Sequence, residues 1–225
     1  SKDSSKEQVQ NQEIDNYEFE ELGSDAPYIF GQSYNGRNSY TTYYPGNIPI
    51  ILSIPHGGDI SPSEISNRTY GVTVTDSNTI ELGMAISNYL FSNYSIRPYI
   101  VVNNLKRTKL DANRDKTEAA QGNIFAERAF DEFHYYISSA RDEIIKNFNT
   151  GLLFDIHGHG ANPDGFVDLR TWIGYLLSGS ELDSSDGYLD QNINIDETSI
   201  YSMINSSDKS LSNLIRGPNS LGSIF

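Results

Sequence analysis

The chain has 225 residues, a net charge of −14 at pH 7 from 16 Lys and Arg against 30 Asp and Glu, 37% hydrophobic residues and no cysteine. The acidic balance argues against a nucleic-acid partner, because phosphate binding needs clustered cations. No run approaches the ~18 apolar residues of a membrane span, and the lack of cysteine removes disulfides, thiolate zinc sites and cysteine nucleophiles together.

Residues 1–26 are polar, without apolar periodicity or an apolar signal core, and read as a flexible lead. Residues 27–225 read as a single domain. Abundant Ser, Asn, Tyr and Gly with few Lys favour an exported bacterial protein: periplasmic, secreted or a surface lipoprotein, whose anchor such a polar tether often follows.

The segment 27–46 (PYIFGQSYNGRNSYTTYYPG) suggests a short hairpin, its Tyr-rich part 40–44 forming either the rim of a cleft or an amphipathic edge. Ile48–Ile54 is a β-branched run ending at Pro55-His56-Gly57-Gly58, hence a buried strand entering a tight loop. Residues 77–92 have helical spacing at Ile80, Met84, Leu90 and Phe91, with Asp76 placed as an N-cap. Residues 97–103 form a second strand and 123–147 the longest helix, which Gly151 could close. Leu152–His157 is a third strand, followed at once by Gly158-His159-Gly160.

Beyond residue 160 the pattern weakens. Trp172–Leu177 reads as another strand, 179–198 as an acidic loop containing Glu181 and Glu197, and Ser207–Arg216 as a short helix. The apolar end Leu221–Phe225 has no closing element and suggests a chain truncated at its C-terminus.

Strand, helix, strand, helix, strand at this spacing predicts an α/β layered domain with a mixed, largely parallel sheet. Ligands of such sheets lie beyond the carboxyl ends of the strands, where both IPHGG and DIHGH fall. Zinc without cysteine takes two His and a carboxylate and leaves one position open. His56 and His157 are the natural pair; each alone would more often make a turn hydrogen bond. The third ligand is Asp76, or Asp59 three residues after His56. His134, on the long helix among aromatic residues, fits packing better than a site role.

Taken together, Ile54-Pro55-His56-Gly57-Gly58, Asp76 before a helix, Arg107-x-x-x-Asp111-x-Asn113-Arg114 and Asp155-x-His157-x-His159 resemble the N-formylglutamate amidohydrolase family, which is related in fold to zinc carboxypeptidases. The resemblance covers about residues 47–177. It implies a three-layer αβα sandwich of phosphorylase/hydrolase type, Zn2+ held by His56, Asp76 and His157, and Asp155 beside the site as a supporting carboxylate. It also implies Asn113 and Arg114 gripping a substrate carboxylate, and Arg107 as the catalytic residue stabilising the oxyanion. Where zinc carboxypeptidases read HxxE, this chain has His56-Gly-Gly-Asp59, which favours the amidohydrolase branch.

Independently, Lys106-Arg107-Thr108-Lys109 with Arg114 is the densest positive charge in an acidic protein, and Arg pairs bidentately with carboxylates. The plainer alternative for Arg114 is a surface bridge to Asp111 or Asp115. The expected activity is metal-assisted hydrolysis of an amide beside a free carboxylate, in an N-acyl amino acid or a peptide-like substrate. The general base has no candidate up to Phe225 and is expected beyond it. The alternatives are a non-catalytic exported metal- or ligand-binding protein of the same fold and a metal-dependent esterase or deacetylase.

Overall fold

A computed structural model describes residues 17–160 and 171–224. The chain divides into two compact units, with the boundary between His159 and Gly160.

The first unit is α/β. Its five strands are β1 (Tyr34–Asn35), β2 (Thr41–Tyr44), β3 (Ile50–Ile54), β4 (Tyr99–Asn103) and β5 (Leu152–Asp155), and its helices are α1 (Thr79–Tyr94), α2 (Lys116–Ala120) and α3 (Ile124–Phe148). The strands form one mixed sheet in the order β1-β2-β4-β3-β5. β1 and β2 are the expected hairpin, and β2 runs antiparallel to β4. β3 is parallel to both β4 and β5, pairing Leu52 with Ile100 on one side and Ser53 with Asp155 on the other. Parallel neighbours need a crossover, and α1 and α3 supply the helices of the two crossovers.

Alternation along the strands divides the core between the two faces of the sheet. Ile51, Tyr99 and Val101 meet Ala126, Ala129, Phe133, Tyr136 and Ala140 of α3. Leu52, Ile54, Ile100 and Val102 point the other way, towards Ile80 and Met84 of α1. All five residues of β4 are buried, as its unbroken apolar run requires at a sheet centre. Asn123 caps α3, accepting from the backbone N–H groups of Phe125 and Ala126; Asn149, in the left-handed region, closes it two residues before Gly151.

Three expectations change here. The lead of 1–26 is packed from Tyr17 onward. The Tyr17 and Phe19 rings lie 5.2 and 6.1 Å from Phe125, and Asp25 accepts a 3.1 Å hydrogen bond from the Tyr136 hydroxyl. Isolated aromatic residues dock on a core without leaving any periodicity to read. The Tyr-rich stretch 40–44 is neither rim nor sheet edge, since β2 is an inner strand with Tyr40 and Tyr43 in the core. Asp76 does not cap α1: the N-cap is Asn78, left-handed and without a side-chain cap bond.

The second unit is helical where described: α4 (Gly179–Leu182), α5 (Asp186–Asn192), α6 (Tyr201–Ser206), α7 (Leu211–Arg216) and α8 (Leu221–Ile224). Leu189, Leu211 and Ile215 form its core, with Tyr175, Leu177, Ile193, Ile200 and Ile204 against them. The strand expected at 172–177 is absent; Tyr175 and Leu177 pack on helices from an irregular segment. The acidic stretch 179–198 is largely helical rather than a loop, opened by a capping box between Ser178 and Glu181. No described helix is long and apolar enough to cross a membrane.

Candidate metal centre

Parallel pairing of β3 with β5 is what brings the two histidines together. Ser53 is level with Asp155, so the segments leaving both strands emerge side by side at their carboxyl ends. His56 lies two residues past β3 and His157 two past β5. Their Nδ1 atoms are 3.2 Å apart.

Asp76 enters from the loop before α1, tied to the His56 segment by a 3.0 Å bond from its backbone N–H to the His56 carbonyl. Its Oδ2 is 3.1 Å from His157 Nδ1 and 3.5 Å from His56 Nδ1, and it accepts from the Gly158 N–H at 3.0 Å. The glycines serve close approach more than sharp turning. A Cβ on Gly158 would sit 3.2 Å from Asp76 Cβ, and one on Gly58 would collide with the Asn104 carbonyl.

His56, Asp76 and His157 form a group that could hold a metal ion, with His56 and Asp76 buried and His157 exposed. Among the described residues no other His, Asp or Glu joins this group. Asp59, the rival ligand, is exposed on the loop after His56 and outside it.

Each imidazole directs Nδ1 into the group and Nε2 away from it. His56 Nε2 lies 2.6 Å from Asp111 Oδ1, and His157 Nε2 lies 3.1 Å from the Asn113 amide. Asp111 is fully buried. Burial pushes its carboxyl up, but hydrogen bonds and charge from His56 and Arg107 outweigh that and hold it well below the usual carboxylate range.

Arg107 is buried and already engaged. Its Nε donates to Asp111 Oδ2 at 2.9 Å, and its Nη1 lies 3.3 Å from the Val74 carbonyl and 3.5 Å from Asp76 Oδ1. The residue expected to donate to an oxyanion thus bridges two carboxylates of the site. Arg114 is exposed at the site's rim, one residue from Asn113, and its Nε is 3.6 Å from Glu118 rather than beside Asp111 or Asp115. Asp115 instead caps α2. Asp155 is exposed at the end of β5.

Two residues outside the expected site complete the surroundings. Arg68, with a side chain 1% exposed, donates to the carbonyls of Val72 and Arg107 at 2.7 and 3.1 Å and lies 3.7 Å from Asp111 Oδ2. Nothing around Asn67-Arg68-Thr69 marks it. His134 does pack, as expected: its Nε2 is 3.0 Å from the Ala112 carbonyl and its ring 4.2 Å from Phe130. Burial lowers its pKa, and it donates to the loop that carries Asp111 and Asn113.

Comparison with protein-family models, curated protein sequences and solved structures finds no match.

Proposed function

We propose that this protein is a zinc-dependent hydrolase of amidohydrolase or carboxypeptidase type, built on a three-layer αβα sandwich and cleaving an amide beside a free carboxylate. The observation that carries the reading is the triangle of His56 Nδ1, His157 Nδ1 and Asp76 Oδ2, with edges of 3.1, 3.2 and 3.5 Å. A tetrahedral ion with bonds of about 2.0–2.1 Å spaces its ligand atoms about 3.3–3.4 Å apart. Two imidazoles and one carboxylate are a zinc donor set that leaves a fourth position open. The outer nitrogens are held by Asp111 and Asn113, the arrangement that orients metal-binding histidines.

Charge supports an anionic substrate. Asp76 and Asp111 cancel Arg68 and Arg107, all buried, so a divalent ion would leave the site with about two positive charges. Zinc, when bound, supplies a Lewis acid that polarises the scissile carbonyl and acidifies water. Asp111 keeps His56 Nδ1 directed inward, and Arg107 braces Asp76 and Asp111. Arg114, at the rim, offers a planar fork to the substrate carboxylate.

The test compares N-acyl amino acids with their α-methyl esters on zinc-loaded protein, before and after chelation. Turnover that needs zinc and falls when the carboxylate is masked supports the reading; equal turnover of acid and ester overturns the carboxylate role and favours an esterase or deacetylase. A second reading, a non-catalytic ligand-binding protein, is favoured by one observation. The two carboxylates beside the histidines, Asp76 and Asp111, are both held by partners within the site: Asp76 by Gly158, His157 and Arg107, and Asp111 by His56 and Arg107. Tight zinc and carboxylate binding with no turnover of either substrate would select it.

A further inference from the structure

The rim arginine does not wait empty. Arg114 Nε lies 3.6 Å from Glu118 Oε1, one turn later in sequence, and the same oxygen is 3.8 Å from Arg68 Nη2. One carboxylate thus stands between an exposed arginine and a buried one. Arg68 Nη2 is fully buried and has no hydrogen-bond partner among the described residues, although the other two guanidinium nitrogens of Arg68 are satisfied. A buried donor without an acceptor costs free energy that a small movement of Glu118 would recover.

The space for that movement exists because residue 71 is glycine. A Cβ there would lie 2.7 Å from both Arg68 Nη2 and Glu118 Oε1, and Gly71 has a φ of +79°. Both features keep side chains out of the gap between the two groups.

We propose that Glu118 is an internal stand-in for the substrate carboxylate: it occupies Arg114 in the free protein, and an incoming carboxylate displaces it onto Arg68 Nη2. This rests on the reading of Arg114 as the carboxylate-binding residue. Glu118 then lowers affinity by competing for Arg114, and the partner it gains on Arg68 offsets only part of that cost. It is a positioning residue, acting on the ligand through Arg114.

The experiment is calorimetric titration of zinc-loaded protein with N-acetyl-L-glutamate. Glu118→Gln removes the competing charge at a site nearly a third exposed, and binding tightens by about two- to fivefold, the scale of an exposed ion pair. Arg68→Lys removes the waiting donor and weakens binding in the parent protein, but has no effect in the Glu118→Gln background, because the displaced carboxylate is gone. If Arg68→Lys does not fold, the Glu118→Gln titration decides alone. Unchanged or weaker binding by Glu118→Gln overturns the proposal. If Arg114→Gln leaves binding unchanged, the carboxylate-reading role itself falls and the switch with it. If Arg114→Gln weakens binding while Glu118→Gln changes nothing, only the switch falls.

Discussion

Asp111 and His56 meet at 2.6 Å with both side chains out of water. The carboxylate can only accept, so His56 must carry its proton on Nε2 and offer the Nδ1 lone pair to the group it shares with Asp76 and His157. Asp111→Asn removes this constraint and leaves Arg68 and Arg107 short of a counter-charge. Zinc affinity, measured by competition with a chromophoric chelator, should fall about 10–100-fold. Unchanged affinity would mean that the contact does not orient His56.

Gly58 packs against the backbone of residues 103 and 104, where a side chain would meet the Asn104 carbonyl. Its neighbour His56 is held by the same strand-end packing, in which Asn103 donates to the Pro55 carbonyl at 2.8 Å. Gly58→Ala should therefore lower stability by about 1–3 kcal/mol in denaturant unfolding and weaken zinc binding at the same time. A loss of stability with full zinc affinity would separate the two effects and contradict the packing argument.

Away from the metal group, Glu64 is the hub that ties the β1–β2 connection to α3. It accepts from both terminal nitrogens of Arg37, from the Tyr40 hydroxyl and from Asn38, while its backbone carbonyl accepts from Asn123. The Arg37 hydrogen bonds, set against burial and helped by Tyr40, lower its pKa to about 2. A pKa depressed in the folded state stabilises fully above the unfolded value and is lost as protons titrate the folded carboxyl. The contribution is thus intact above about pH 5 and vanishes as pH falls towards 2. Glu64→Gln should cost roughly 2 kcal/mol at neutral pH and flatten the decline of melting temperature between pH 5 and 2. Parallel pH profiles for the two proteins would count against the role.

Phe133 is 1% exposed between α3 and the sheet. Phe133→Ala should destabilise by about 3–5 kcal/mol, read from denaturant midpoints. The proposed ligands lie on the loops after β3 and β5 and before α1, not on α3, so the folded fraction should keep its zinc affinity. A variant that folds but no longer binds zinc would show that α3 sets the ligand geometry.

The centre of the first unit was legible in the sequence because its strands are short apolar runs, two of which lead directly into the Pro55-His56-Gly57 and His157-Gly158 segments. That pattern sets the strand ends, and parallel pairing then sets where His56 and His157 go. Asp76 was legible as a candidate ligand, but its rival task as an N-cap dissolved only once Asn78 took that place. Asp111 stood inside the D-x-N-R segment without a role, since a carboxylate behind a histidine leaves no spacing rule to read. Arg68 was silent, being defined by carbonyls brought to it from residues 72, 107 and 118. The run Trp172–Leu177 shows the limit from the other side. A short apolar run is equally consistent with a strand or with side chains packing on helices, and here Tyr175 and Leu177 do the latter. The helices of 179–192 did carry local signals, Ser178 with Glu181 and Ser185 at the caps, hidden by the polar composition around them.

The central claim is that His56, Asp76 and His157 bind one zinc ion. Elemental analysis after equilibration with zinc and removal of excess metal tests it most directly, on the parent protein and on His157→Ala, whose side chain is exposed enough for the variant to fold. The account predicts one zinc per chain in the parent and loss of that zinc in the variant. A parent without zinc, or a variant that keeps it, would contradict it.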